Sequence, residues 1–281
     1  MPDVREQVWF ITGASAGFGH ALAQQVLKRG GRVVATARNP RSLAGLAPAG
    51  AERLLCLALD VTRPSEITAS VAASEARFGR IDVLVNNAGY GFLSGLEEGT
   101  DHEARAQFDV NFFGTVSMTR AALPLMRRQR SGHIVNFSSS AGVFGVGGSA
   151  YYCATKFAVE GLSECLAREV SGFGIGVTIV EPGPFRTDFF GRSLAVPEHP
   201  IAAYTALADM RRQLGTMQGQ QPGDPERGAT VIIDAVASGS PPLRLVLGRG
   251  AHERIRRALE VRLEQVDACR ELAASADFPG T

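Results

Sequence analysis

The chain has 281 residues, 45% of them apolar and 20% charged, and its 29 basic and 28 acidic residues leave a formal net charge of +1. That is the composition of a folded globular protein, long enough to bury a core without disulfides or a structural metal. The balanced charge excludes a strong field toward nucleic acid or an anionic membrane, and neither is expected as a partner.

Residues 8–12 form a short apolar run that reads as a strand buried on both faces. It leads into a glycine-rich turn, Thr12 to Gly19. Residues 20–29 have helical spacing and stop at Gly30-Gly31. Strands follow at 32–37, at 54–59 ending on Asp60, and at 81–85 ending on Asn86-Asn87-Ala88-Gly89, with a helix at 67–78 between the last two. The pattern from Thr100 to Glu103 is a capping box that opens a helix running to about residue 126. Further strands are expected at 134–137, 176–180 and 243–247, and a long helix at 152–170. This alternation predicts an α/β fold with a parallel sheet and helices on both faces. No linker or repeat divides the chain, so residues 1–281 are expected to form a single domain. The least regular stretch, 188–225, reads as a lid over a substrate. In the tail, 251–274, Ile255, Ala258, Leu259, Leu263 and Val266 share one helical face, which should pack on the body or on a partner subunit.

Gly13, Gly17 and Gly19 sit between the first strand and the first helix. Glycines there let the backbone approach a pyrophosphate, and the helix N-terminus offers unpaired N–H groups to the anion. A site for NAD(H) would place a carboxylate at the end of the second strand, to bind the ribose hydroxyls. This chain has Ala37-Arg38, and a guanidinium suits a 2′-phosphate. NADP(H) is therefore expected over NAD(H).

Tyr152 and Lys156 are four residues apart and share a helix face. A free phenol has a pKa near 10. A neighbouring ammonium favours the phenolate, so Lys156 is expected to make Tyr152 an acid–base catalyst. Tyr151 has Thr155 at the same spacing and is not chosen.

Together these segments resemble the short-chain dehydrogenase/reductase family. The likeness covers about residues 8–190 and the last strand. It rests on Thr12-Gly13-x-x-x-Gly17-x-Gly19, Asp60, Asn86 to Gly89, Asn111, Ser139, Tyr152-x-x-x-Lys156, Pro182-Gly183 and Thr187. The resemblance implies a single doubly wound Rossmann-type domain with a seven-stranded parallel sheet. It implies a cofactor set of Gly13, Ser15, Ala16, Gly17, Phe18, Gly19, Arg38, Asp60, Val61, Asn86, Ala88, Gly89, Tyr152, Lys156, Pro182, Gly183 and Thr187. Asp60 and Val61 would contact the adenine, Asn86 and Ala88 would line the groove, and Thr187 would hold the nicotinamide carboxamide. The implied catalytic set is Asn111, Ser139, Tyr152 and Lys156. Ser139 would bond the substrate oxygen, and Asn111 would hold a water leading to the lysine.

The implied activity interconverts a ketone or aldehyde and an alcohol. Phe144, Val146, Phe185, Phe189, Phe190 and Leu194 read either as the wall of a site for a hydrophobic substrate or as plain core. A non-catalytic NADP-binding redox sensor, or an isomerase or dehydratase using the cofactor catalytically, are the alternatives; intact Ser139, Tyr152 and Lys156 favour turnover. The family pairs through the helices placed here at about 101–126 and 152–170, which implies a homodimer or homotetramer. The four cysteines form no CxxC pair and the five histidines no ligand cluster, so no metal is expected. Free thiols, the lack of a secretory leader pattern and the lack of an apolar run of about 18 residues make a cytoplasmic protein the expectation.

Overall fold

The computed structural model describes residues 3–49 and 52–278; the outermost residues of the expected 1–281 domain lie outside that range. Seven strands form one parallel sheet: β1 (Val8–Ile11), β2 (Arg32–Ala37), β3 (Leu54–Ala58), β4 (Val83–Asn86), β6 (Gly132–Phe137), β7 (Ile175–Pro182) and β9 (Arg244–Leu247). Their order in the sheet is β3-β2-β1-β4-β6-β7-β9. The direction of winding reverses between β1 and β4, and the carboxyl ends of strands beside such a switch form a natural crevice. Two short strands, β5 (Gly91–Phe92) and β8 (Leu194–Ala195), pair separately in parallel.

Strand β1 shows why the sheet has two cores. Its side chains alternate: Trp9 and Ile11 enter one cluster, and Val8 and Phe10 enter the other. On the first face, Leu22 and Val26 of α1 (Gly17–Lys28) meet Ile232, Ile233 and Val236 of α7 (Pro225–Ala237). On the second, α2 (Pro64–Phe78) brings Ile67 and Val71, and α4 (Gly114–Gln129) brings Met118, Ala122 and Met126. Leu166 and Val170 of α5 (Ala150–Val170) complete that layer. Each large apolar side chain fully buried this way contributes roughly 1.5–3 kcal/mol.

The helix expected over 101–126 is interrupted. The capping box holds, with Thr100 Oγ1 accepting from Glu103 N and the Glu103 carboxylate accepting from Thr100 N, and α3 spans Asp101–Phe108. A π turn then occupies Asp109–Phe113 before α4 begins, closed by Gly114 N donating to Asp109 O. The expected lid contains the short helix α6 (Thr205–Thr216) besides β8. The tail forms α8 (Arg249–Ala268) and α9 (Arg270–Ala274), but its apolar stripe is only half covered. Ala251 and Ile255 are buried, whereas Leu259, Leu263 and Val266 are 48%, 62% and 63% exposed. The first turns of α8 pack on the body, and farther along Arg262 reaches back to it, donating to Val143 O at 3.0 Å and lying 5.9 Å from the centre of the Phe157 ring. Among the described residues, no helix is long and apolar enough to cross a membrane.

Candidate active site

The glycine-rich turn leaves β1 and opens α1 at the carboxyl edge of the sheet. Gly17 has φ +54°, a region that disfavours side chains, and a Cβ there would lie 3.2 Å from Thr187 Cβ. Thr187, beyond the end of β7, thus sits directly against the turn. Beside this contact lies a cavity of about 400 Å³ lined by Ser15, Ala16, Gly17, Arg186, Thr187 and Gln218. The turn is held by Asn87, whose Nδ2 donates to the carbonyls of Thr12 (2.9 Å) and Gly13 (3.1 Å). Thr12 Oγ1 in turn accepts from Ala88 N at 3.0 Å. The two motifs after β1 and β4 are therefore one unit.

Phe18 faces the core, against Phe137 at 5.3 Å and Phe185 at 4.7 Å. Only its backbone can serve an anion. Phe185, expected at the substrate mouth, is also core and is buried. Asn86 turns inward: its Nδ2 donates to Asn136 Oδ1 (2.8 Å) and Thr119 Oγ1 (3.0 Å). The amide of Gly183 is taken by Leu247 O at 3.0 Å, and a Cβ on Gly183 would lie 2.9 Å from Ala251 Cβ. Pro182, half-buried, ends β7 beside it.

At the end of β2, Ala37 is buried and Arg38 is exposed, and Arg38 makes no ion pair or hydrogen bond among the described residues. Asp60 after β3 accepts from Thr62 N at 2.9 Å and Thr62 Oγ1 at 2.7 Å. Burial would raise its pKa, but those bonds and the guanidiniums of Arg63 and Arg38 outweigh burial and hold it below the usual carboxylate range. Val61 is buried against α4, where a Cβ on Gly114 would fall 2.7 Å from Val61 Cγ2.

On α5, Lys156 is buried and donates from Nζ to Phe137 O at 2.7 Å. Its Nζ lies 5.7 Å from the centre of the Tyr152 ring. Ser139, the residue after β6 and Ser138, accepts from Ala141 N at 3.1 Å, and its hydroxyl is near enough to the Tyr152 phenol to pull that group's pKa down. Asn111, inside the π turn, donates to Tyr90 O (2.9 Å) and Thr155 Oγ1 (3.3 Å), and accepts from Tyr90 N (3.0 Å). A Cβ on Gly89 would sit 3.1 Å from Asn111 Oδ1 and 3.8 Å from Lys156 Nζ. The π turn, the β4 loop and α5 thus converge within one side chain's width. Such turns recur at functional sites. Tyr151 is spent elsewhere, donating to Leu96 O at 2.7 Å.

One electrostatic expectation fails in the protein alone. Burial pushes the Tyr152 phenol up to about 12, and Ser139 offsets only part of that. Burial also pushes Lys156 down to about 8, against the pull of Glu160. The charge that Lys156 would lend to the phenol is itself weakened by the low-dielectric setting. Among the described residues, no group of three or more His, Cys, Asp or Glu is placed to hold a metal ion.

A side chain at Gly17 or Gly89 would occupy this groove, and the arrangement of glycines, helix end and Tyr152–Lys156 pair suits a dinucleotide. The short chain dehydrogenase model matches residues 7–195. The chain belongs to the short-chain dehydrogenase/reductase family. It is an oxidoreductase acting on CH–OH groups. It is 43% identical over 246 residues to a 3-ketodihydrosphingosine reductase of Bacteroides thetaiotaomicron, covering 87% of this chain and 89% of the relative. It is 38% identical to the Homo sapiens retinol dehydrogenase 8, over 83% of this chain and 79% of that one. A solved short-chain dehydrogenase from Streptomyces avermitilis superimposes with TM-score 0.89 at 40% identity, over 96% of this chain and 100% of that one. A member from Burkholderia phymatum, in complex with NAD, gives TM-score 0.83 at 26% identity, over 95% and 96%. A metagenomic member in complex with NADP gives 0.60 at 36%, over 64% and 84%.

Phe189, expected from the sequence on hydrophobicity, packs on Tyr152, ring centres 5.5 Å apart. Arg186 and Gln218, which line the cavity beside Thr187, were not expected: they carry no motif, and only the fold brings them there.

Proposed function

We propose that this dehydrogenase interconverts a ketone or aldehyde and an alcohol on a long apolar substrate, with NADP(H) as its cofactor. The observation that carries the reading is Lys156, buried with its Nζ 5.7 Å from the Tyr152 ring centre on the same helix face, with Ser139 beside that phenol and the glycine turn opened by Gly17. Gly13 to Gly19 would cradle the pyrophosphate, Asp60 and Val61 the adenine, Ala88 and Gly89 the groove wall, and Thr187 the carboxamide end. Bound nicotinamide supplies or accepts the hydride at the oxygen-bearing carbon.

Tyr152 gives its proton to the substrate oxygen in the reducing direction and recovers it in the other. Ser139 bonds that oxygen as charge develops on it. Lys156 offsets the charge left on the phenolate. Phe189 walls the phenol from water. Segment 188–225 acts as the lid: a Cβ on Gly148 would lie 2.9 Å from Leu207 and 3.5 Å from Met210 of α6, so the lid presents apolar side chains to the loop after Ser139. Relatives named for ketodihydrosphingosine and retinol, both long apolar molecules, support that class of substrate.

Arg38 supports NADP(H): it is exposed, makes no ion pair or hydrogen bond among the described residues, and follows Ala37 where a carboxylate would bind a ribose diol. Paired charge-assisted bonds to a phosphate contribute about 1.5–3 kcal/mol each, and Arg38→Asp also adds repulsion. The test follows oxidation of NADPH and NADH over a panel of ketones of increasing chain length. Arg38→Asp should lower kcat/KM for NADPH by about a hundredfold or more and leave that for NADH unchanged or raised. An unchanged ratio between the two cofactors would sink the assignment.

A further inference from the structure

Where α8 leaves the body, it and the loop between Ser139 and Tyr152 border a second cavity, of about 440 Å³. The hydride-transfer chemistry does not use it. Phe144 lines it from the loop, and Arg254, Arg257, Ala258, Val261 and Arg262 line it from the helix. The spacing of three and four residues puts these side chains on one face of α8, apart from the exposed stripe of Leu259, Leu263 and Val266. The cavity shares no lining residue with the dinucleotide groove.

The lining has two characters. Phe144, Ala258 and Val261 are half-buried and apolar. The rest is dominated by three guanidiniums, and no lining residue is a carboxylate. Arg262 is held in place from two sides: it donates to Val143 O at 3.0 Å and lies 5.9 Å from the centre of the Phe157 ring. Arg254 and Arg257 make no ion pair or hydrogen bond among the described residues. Carboxylates of the same helix are engaged elsewhere. Glu260 pairs with Arg256 at 2.9 Å and Asp267 with Arg270 at 3.3 Å, and neither of those arginines lines the cavity.

Like charges one turn apart on a helix are destabilising, so three cations without a carboxylate among them gain from an anion. A guanidinium is a planar fork whose paired N–H groups match a carboxylate or a phosphate. An inorganic anion would leave Phe144 and Val261 in water, and a neutral hydrocarbon would leave the guanidiniums without a partner. A molecule with both characters satisfies both halves of the lining. We propose that this cavity binds a single-chain anionic amphiphile, a phosphate or carboxylate on an alkyl chain, with Arg254 and Arg257 on the anionic group and the chain along Phe144 and Val261. The bound ligand ties the outer turns of α8 to the loop that joins Ser139 to Tyr152.

The test is calorimetric titration of the whole protein with decyl phosphate below its micelle concentration, with NADPH present to fill the phosphate-binding turn. Inorganic phosphate and decanol are the partial probes. Decyl phosphate should bind at least tenfold more tightly than either, because each partial probe meets only half of the lining. Arg257→Gln should weaken decyl phosphate about tenfold, since a charge-assisted contact is lost, and Arg254→Gln added to it should weaken binding further. Decanol should respond to neither change. Arg256→Gln removes the same charge from another face of α8 and should alter decyl phosphate binding less than twofold. Arg254, Arg256 and Arg257 are all exposed, so the variants keep the fold. Equal weakening in Arg256→Gln and Arg257→Gln, no weakening in Arg257→Gln, or decyl phosphate binding no tighter than decanol overturns the proposal. Turnover is not read, so a failure of the catalytic assignment would leave this result standing, and the reverse.

Discussion

Replacing Gly19 by Ala tests whether the glycine turn is a rigid cradle. A Cβ at this position would stand 2.4 Å from the Gly13 carbonyl oxygen and 2.6 Å from Asn87 Nδ2. The first neighbour is backbone and cannot rotate away. Reaching even a tight 3.0 Å contact requires the turn to move by about 0.6 Å, the difference between the two distances. That shift breaks the two bonds by which Asn87 holds Thr12 and Gly13. At about 1 kcal/mol each, the variant should lose roughly 2 kcal/mol of stability. The larger effect falls on cofactor binding, since displacing a positioned group by about 1 Å can cost around a hundredfold. The assay is NADPH binding by fluorescence alongside urea unfolding. Gly250→Ala, on α8 where a Cβ meets nothing within 4 Å, should raise stability slightly and leave binding alone. If Gly19→Ala bound NADPH within threefold of wild type and unfolded at the same urea concentration, the described cradle would be wrong.

Tyr152→Phe should lower turnover at least a thousandfold while NADPH binding changes less than threefold, because the phenol hydroxyl serves the proton and not the dinucleotide; rapid residual turnover would remove Tyr152 from the mechanism. His133 is buried beside Thr178 (2.9 Å), and burial lowers its pKa from 6.5 to about 4. Its folded pKa lies below the unfolded one, so stability is full above pH 6.5 and is lost as pH falls through 4, by about 3 kcal/mol in all. His133→Gln should flatten that part of the wild-type stability curve, and parallel curves for the two proteins would contradict the assignment. Glu98 pins the lid segment: its buried carboxylate accepts from Gly95 N (2.8 Å), from Ile201 N (3.0 Å) and from Arg211 of α6. Glu98→Ala strands the Arg211 charge, which should destabilise the protein by about 3–5 kcal/mol. Proteolysis within 196–224 should accelerate severalfold, and an unchanged cleavage rate there would show that the pair is not a latch.

The strands of the sheet were legible because buried runs such as Val8–Ile11 and Arg32–Ala37 are apolar on both faces and end at turn residues. The capping box at Thr100 carried its own signal. What was hidden had no local signature. Strands β5 and β8 have two residues each, too few for any periodicity. The π turn at Asp109–Phe113 differs from an α-helix by one residue, a change in hydrogen-bond register and not in composition. Asn86 and Asn87 are chemically alike in sequence, and only the strand's alternation decides that one faces the interior and the other the glycine turn. Arg244 of β9 lies against Glu160 of α5 and Glu181 of β7, a cluster drawn from three elements whose parts read separately as ordinary surface charges. The Tyr152 pKa was misjudged for a related reason: spacing reports which groups are neighbours, but not how much water they have lost.

The π turn also imposes a counting rule. Each residue added to a helix rotates everything after it by about 100°. The direction in which Met118, Ala122 and Met126 point is therefore fixed by the number of residues between the Thr100 cap and Gly114. Deleting Val110 alone would restore an unbroken helix, but it would force either Asn111 away from Tyr90 or the apolar stripe of α4 out into water. Chimeras that splice this stretch from another member must match its length before they match its side chains.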